Sequence, residues 1–176
     1  KEYSPEKLRD YMNQYLPEDI AVLHIEIVPE RFHARLWATG KTYCYQIRIS
    51  PVPDVFERKY CYAYGHSLDV EAMRQAAGYL VGTHDFKSFC SNKKMKKSTV
   101  RTIFQIRIKE LPGEIRIYYT GNGFLQNMVR ILTGTLIEIG DGRRNPEDVL
   151  EILEAKNRER AGYTAPACGL TLLEVT

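Results

Sequence analysis

From Phe86 to Lys109 the chain carries eight basic side chains and no acidic one: Lys87, Lys93, Lys94, Lys96, Lys97, Arg101, Arg107 and Lys109. Clustered cations of this kind pair with phosphates and release the counterions held there. A solvated loop has the same composition, so the run alone leaves both readings open. Further on, Asn127, Arg130 and Gly134 recur at helical spacing on one face of an otherwise apolar segment. Taken by itself, that pattern makes Arg130 a solvated surface residue. Tyr43 alternates with the apolar Tyr45, Ile47 and Ile49, and by itself reads as a core tyrosine. His84 and Asp85 could do acid–base chemistry, but neighbours in sequence rarely face one another, and a local turn is expected there. Aromatic residues are available for stacking on unpaired bases, without the arrangement of an RNP motif. The sequence contains no P-loop, GxGxxG, HExxH or GxSxG.

Composition narrows the class. The chain has 176 residues, enough for one domain with a real core, and a single domain over 1–176 is expected. Apolar residues make up 44%, which argues against disorder. The net charge of +3 is too mild to name a partner. Cys44, Cys61, Cys90 and Cys168 are scattered, with no CxxC and no histidine at ligand spacing. No metal site is expected, and the thiols suit a cytoplasmic protein. No apolar run reaches the ~18 residues of a membrane span, and no signal-peptide pattern opens the sequence.

The elements that must position these residues follow from periodicity and punctuation. Ser4-Pro5-Glu6 starts a helix with a stripe of Leu8, Tyr11, Met12 and Tyr15, stopped by Pro17. Alternation predicts strands over 21–28 and 32–39, then a third from Tyr43 to Ile49 after Gly40. A helix from about Asp69 buries Met73, Ala76, Ala77 and Leu80 and closes at Gly82. Ser91 to Ser98 reads as a loop. Val100 to Lys109 and Glu114 to Thr120 form a hairpin around Leu111-Pro112-Gly113. Gly121 to Gly140 reads as a helix capped by Asn122 or Gly123, with Phe124, Met128, Ile131, Leu132, Thr135, Leu136 and Ile139 on its apolar stripe. Gly134 costs ~1 kcal/mol there relative to alanine, tolerable where something packs close. Asn145 and Pro146 start a last helix, and Gly169 to Val175 a last strand. Hairpin-connected strands mixed with helices give an α+β fold: a mainly antiparallel sheet with helices packed on one face. These residues alone reach a basic, cofactor-free α+β domain that binds a polyanion, and stop short of a reaction.

Four segments together resemble the tRNA pseudouridine synthase A family: RFHARLWATGKTYCY from Arg31, VGTHDFKSF from Val81, FLQNMVRILTGTLIEIGDG from Phe124 and RAGYTAPACGLTL from Arg160. The resemblance spans nearly the whole chain and implies the pseudouridine synthase type of fold. It implies an isomerase that converts uridine to pseudouridine in the anticodon arm of tRNA, without metal or organic cofactor. It places Tyr43 against the target base, Arg130 beside the catalytic aspartate, and Leu170 in the pocket wall, with Asn127 of the same N-M-V-R segment. Lys93, Lys94, Lys96, Lys97, Arg101, Arg35 and Lys41 are the expected RNA contacts. The resemblance implies a homodimer that grips tRNA in the full enzyme; the scattered thiols point to a cytoplasmic location, and no membrane association is expected. The family's nucleophile lies in a G-R-T-D-A-G segment, and none of Asp10, Asp19, Asp54, Asp69, Asp85, Asp141 and Asp148 has that context. The expectation is therefore a C-terminal portion of the enzyme, inactive alone. The rival expectation is a non-catalytic RNA-binding α+β domain.

Overall fold

The alternation from Tyr43 onward places successive side chains on opposite faces, and this segment becomes the hub of the sheet. Strand β1 (Lys41–Arg48) pairs along its length with β5 (Glu114–Gly121), antiparallel, with Tyr43 opposite Tyr119 and Ile47 opposite Ile115. Its other edge is shared end to end. Residues 41–45 pair with β6 (Leu170–Val175), antiparallel, and Ile47 and Arg48 with β2 (Tyr62–Ala63), parallel. On the far side β5 turns through Pro112-Gly113 into β4 (Val100–Leu111), which pairs with β3 (Gly82–Asp85). Gly113 takes φ +73°, the left-handed conformation the tight turn needs. The sheet is thus mainly antiparallel.

One sheet face carries the core. Tyr45 and Ile47 on β1, Ile115, Ile117 and Tyr119 on β5, and Ile103 on β4 are fully buried. They share that core with α2 (Val70–Leu80), α3 (Met128–Gly140) and α4 (Asp148–Ala155). Asp69 caps α2 by accepting from the N–H groups of Glu71 and Ala72 at 3.0 Å each. Met73, Ala76, Ala77 and Leu80 are its buried stripe, as the periodicity predicts. Tyr119 reaches α3 through a 2.9 Å hydrogen bond with the Thr133 hydroxyl.

The structure is a computed structural model that describes residues 4–52, 54–92 and 94–176, in two compact units, Lys1–Trp37 and Ala38–Thr176. Within the first unit, α1 (Pro5–Tyr15) begins where Ser4 and Pro5 place it, but none of its residues is buried. The strands predicted over 21–28 and 32–39 do not form. Alternation fixes which way side chains would point, but a strand exists only where a neighbour takes up its backbone groups. Here local partners take them instead. The Asn13 amide accepts from the Val22 N–H and donates to its carbonyl. Phe32 and Trp37 close turns back to Pro29 and His33.

The second unit brings four smaller corrections. α3 starts at Met128, not near Asn122, because Asn122 pairs with the backbone of Thr102 and finishes the β4–β5 hairpin. Gly140 is the buried last residue of α3, and the positive-φ glycine beyond the end is Gly142. α4 begins at Asp148, since Asn145 and Pro146 form the turn before it. His84 and Asp85 lie in β3, not in a turn, paired with Arg101 and Val100.

The closest backbone approach involves α3. A Cβ placed on Gly134 would stand 1.9 Å from the Tyr163 carbonyl oxygen, and one on Gly162 would stand 2.7 Å from the backbone of Thr135. Two chain segments touch here with no side chain between them. Gly134→Ala should therefore destabilise the protein by about 3 kcal/mol, since neither backbone can yield without moving an element. Gly78→Ala, on an open part of α2 where an added Cβ meets nothing within 4 Å, should instead stabilise by about 0.5–1 kcal/mol. Urea unfolding of the two variants checks the opposite signs.

Candidate functional site

Four side chains from three elements and a loop end converge on one concavity. Tyr43 comes from β1, Asn127 from the residue before α3, Arg130 from its first turn, and Leu170 from the start of β6. Phe124, Leu125, Met128 and Val129 complete a wall around a space of about 130 Å³. None of these lining residues is acidic.

Each functional side chain is held by identifiable partners. Tyr43 is half-buried, and its ring meets Phe124 edge to face, with centroids 5.3 Å apart. Phe124 stands in the loop before α3, so the apolar stripe expected of one continuous helix divides between loop and helix. Arg130 is also half-buried. Its Nε donates to the Ala165 carbonyl at 2.6 Å and its Nη1 to the Asn127 Oδ1 at 3.2 Å. Both oxygens are neutral, so the guanidinium charge is oriented but not cancelled by them. The Ala165 N–H donates back to the Arg130 carbonyl at 3.1 Å, locking backbone and side chain to the same residue.

Asn127 adopts φ +60°, a left-handed conformation that asparagine tolerates better than most residues. Its amide donates to the Ser91 Oγ at 3.0 Å while its carbonyl oxygen takes the Arg130 bond. The kink and the two bonds together fix where α3 begins and where Arg130 points. Beneath the concavity, the Tyr45 hydroxyl donates to the Pro166 carbonyl at 2.6 Å. Burial pushes that hydroxyl's pKa well above the ordinary tyrosine value.

The residues expected to contact RNA are more dispersed. Lys94, Lys96 and Lys97 are exposed on the loop after Asn92; Lys93 lies outside the described residues. Asn92 shapes that loop by accepting from the Lys94 N–H at 3.0 Å. Arg101 on β4 is half-buried and donates from Nη1 to the carbonyls of Ser98 and Val100, so it braces the end of the loop. Lys41 opens β1 opposite Gly121 and Val175. Arg35 is exposed and belongs to the first unit.

Residue types and spacing alone did not reveal Phe124, Ser91 and the 161–166 segment as parts of this site. For the 161–166 segment the glycine pair was the one signal, since Gly134 in a helix interior asks for a close neighbour and Gly162 supplies it.

Fold and site together define an α+β domain whose concavity brings an aromatic ring and an oriented guanidinium together. The family profile described as tRNA pseudouridine synthase matches residues 76–176. The chain is 48% identical over 170 residues to tRNA pseudouridine synthase A of Brevibacillus brevis, covering 97% of this chain and 70% of that protein. It is 47% identical over 164 residues to tRNA pseudouridine synthase A of Bacillus subtilis, covering 93% of this chain and 66% of that protein. Against tRNA pseudouridine synthase A 2 of Clostridium tetani the identity is 46% over 170 residues, covering 97% and 68%. The chain belongs to the tRNA pseudouridine synthase family. It spans about two thirds of the length of these relatives and corresponds to their C-terminal part.

The Asn127 geometry is directly testable. Asn127→Ala loses both side-chain bonds and places alanine at positive φ, and should destabilise the protein by about 2 kcal/mol. Asn127→Gly loses the same bonds but relieves the backbone, and should cost about 1 kcal/mol less. Thermal unfolding of the pair checks the order; a glycine variant weaker than the alanine variant would show that the left-handed conformation is not strained.

Proposed function

We propose that this chain forms the base-binding and cation-bearing part of an enzyme that isomerises uridine to pseudouridine in the anticodon arm of tRNA. The observation that carries the reading is the meeting of Tyr43, Asn127, Arg130 and Leu170 around one acid-free concavity. In this reading the uridine is flipped out of its stack and its ring lies against Tyr43, with Leu170 on the wall. A carboxylate nucleophile enters beside Arg130, whose charge keeps it ionised and oriented. The bond from ribose C1′ to uracil N1 breaks, the base turns, C1′ bonds to C5, the C5 proton leaves to solvent and N1 takes up a proton, so that product and substrate have the same composition. No redox or group-transfer partner is consumed, so binding, electrostatics and one nucleophile suffice. The nucleophile belongs to a G-R-T-D-A-G segment, which these 176 residues do not contain. A homodimer that grips tRNA and a cytoplasmic location complete the proposal. Among the described residues no helix is long and apolar enough to cross a membrane.

Release of tritium from C5-labelled uridine in tRNA tests the assignment. This chain alone should give no turnover; joined to an upstream segment that carries G-R-T-D-A-G it should turn over. In the joined protein Arg130→Ala should lower kcat by about two to three orders of magnitude, the scale of losing one preorganised electrostatic partner. Its tRNA affinity should change by less than about threefold, because the guanidinium acts on the carboxylate and not on the RNA backbone. Full activity of Arg130→Ala would defeat the assignment.

The lysine loop makes a separable contribution. Replacing Lys94, Lys96 and Lys97 by glutamate should weaken tRNA binding. It should also flatten the dependence of log K on log salt by somewhat under one unit for each phosphate that is no longer neutralised. Filter binding across a salt series measures both, and an unchanged slope would assign these lysines to a solvated face.

A further inference from the structure

A second cavity, about 190 Å³, opens on the other side of the Ser91 contact. Its lining is Lys87, Cys90, Asn92, Lys156, Asn157 and Arg158, three cations and two amides with no carboxylate. At ~30 Å³ per water molecule the space holds roughly six waters, enough for a partly hydrated phosphate group.

The cations reach it from two chain segments, one at Lys87 and one at 156–158. Lys87 opens the 3-10 turn Lys87–Phe89 that follows β3. Lys156 is the residue after α4 and takes φ +48°, an uncommon conformation for a long side chain. Arg158 begins a second 3-10 turn, Arg158–Arg160. Its guanidinium is pinned by bonds to the carbonyls of Ala161 and Gly162 and to the Thr164 hydroxyl. Lys156 Nζ pairs with Asp85 Oδ2 at 3.4 Å and Glu138 acts on Arg158 from outside the lining, while the lining itself carries three cations and no carboxylate.

Position relates this cavity to the first. Cys90 and Asn92 line it, and Ser91 between them binds the site already described. The Ser91 N–H donates to the Gln126 carbonyl at 3.1 Å, and Ser91 Oγ accepts from Asn127, which lines the concavity with Arg130. The two cavities therefore flank one short chain contact. An RNA strand with its base turned into the first must have its backbone held nearby, and phosphate contacts do that work in nucleic-acid complexes. We propose that the second cavity is a phosphate subsite, resting on the function proposed above, which holds a backbone phosphate of the RNA strand whose uridine enters the concavity. Lys87 and Lys156 are exposed like the lysines of the 94–97 loop, but they line one cavity with the pinned Arg158 and so select a position along the strand, whereas the loop adds general attraction.

The test uses the chain as it is, with Lys87→Gln alone and combined with Lys156→Gln, and Arg74→Gln on the exposed face of α2 as a control that matches the single variant in charge. Binding of an anticodon stem-loop RNA is measured across a salt series. Amide NMR signals of Asn92 and Asn157 are followed separately on addition of inorganic phosphate. The double variant should bind more weakly, with a salt slope flatter by about 0.7–0.9, one phosphate's worth, while Arg74→Gln leaves it unchanged. Lys87→Gln alone, which keeps the Lys156–Asp85 pair, should move the slope the same way. Inorganic phosphate should shift the two amides in the wild type and not in the double variant. RNA binding with an unchanged slope in the double variant would overturn the subsite and leave the reading of the concavity standing. Amide shifts with phosphate but no RNA binding would mark a site for a free anion, overturning the subsite together with tRNA as the partner.

Discussion

The arrangement of this domain depends on the bare contact between α3 and the chain at 161–165. Gly134 and Gly162 let the two backbones touch, and three hydrogen bonds donated by the 161–165 segment, with a fourth returned by Arg130 Nε, then stitch them. The Gly162 N–H donates to Thr135 Oγ1, the Tyr163 N–H to Glu138 Oε1, and the Ala165 N–H to the Arg130 carbonyl. A helix normally offers side chains to its neighbours, so its own backbone stays remote from them. Removing the side chains brings a foreign carbonyl within reach of Arg130 Nε. The orientation of the cation is thus a consequence of two missing Cβ atoms more than a turn away from it.

The same segment joins helix to sheet. After Ala165 it runs past Tyr45, whose hydroxyl binds the Pro166 carbonyl, and Gly169 passes against the Tyr45 ring, where an added Cβ would lie 2.7 Å away. It then becomes β6 and pairs with β1, which carries Tyr43. One stretch of chain therefore fixes the distance between the element bearing the arginine and the strand bearing the tyrosine. A change in its path would move both walls of the concavity at once. Tyr45, fully buried beneath it, works as a spacer whose one polar atom is spent on holding that path.

Where sequence was legible, local chemistry and tertiary demand agreed. Asp69 caps α2, Gly113 makes the hairpin turn, and β1, β4, β5 and β6 all lie where alternation puts them. Legibility failed where two outcomes were locally equivalent. Residues 21–28 alternate as well as β1 does, but a strand is a property of a pair, and no strand among the described residues pairs with them; at Val22 the backbone groups bond the Asn13 side chain instead. The start of α3 was hidden for a related reason. Phe124 keeps helical phase with Met128, yet Asn127 turns left-handed between them, and periodicity records phase without recording φ. For the site, spacing correctly joined Asn127, Arg130 and Gly134 on one face, but it assigned that face to solvent. Only the placement of Gly162 and Ala165, about thirty residues downstream, turns it into a wall.

The bonding of Arg130 explains how such a site can be ready before its partner arrives. A half-buried guanidinium held by a carboxylate would have its charge largely cancelled, and a second carboxylate would have to compete for it. Held instead by the carbonyl of Ala165 and the amide oxygen of Asn127, it is fixed in direction while its net charge persists. Neutral acceptors cost less desolvation than a buried ion pair, and they leave the field in the cavity positive. The acid-free lining adds to that field, because no neighbouring carboxylate in the wall offsets it. In the function proposed above, an incoming carboxylate would meet a cation that is already oriented, and little of the interaction would be lost to reorganising it. The strained φ of Asn127 belongs to the same arrangement: it is the backbone geometry that lets one side chain brace both the helix start and the guanidinium.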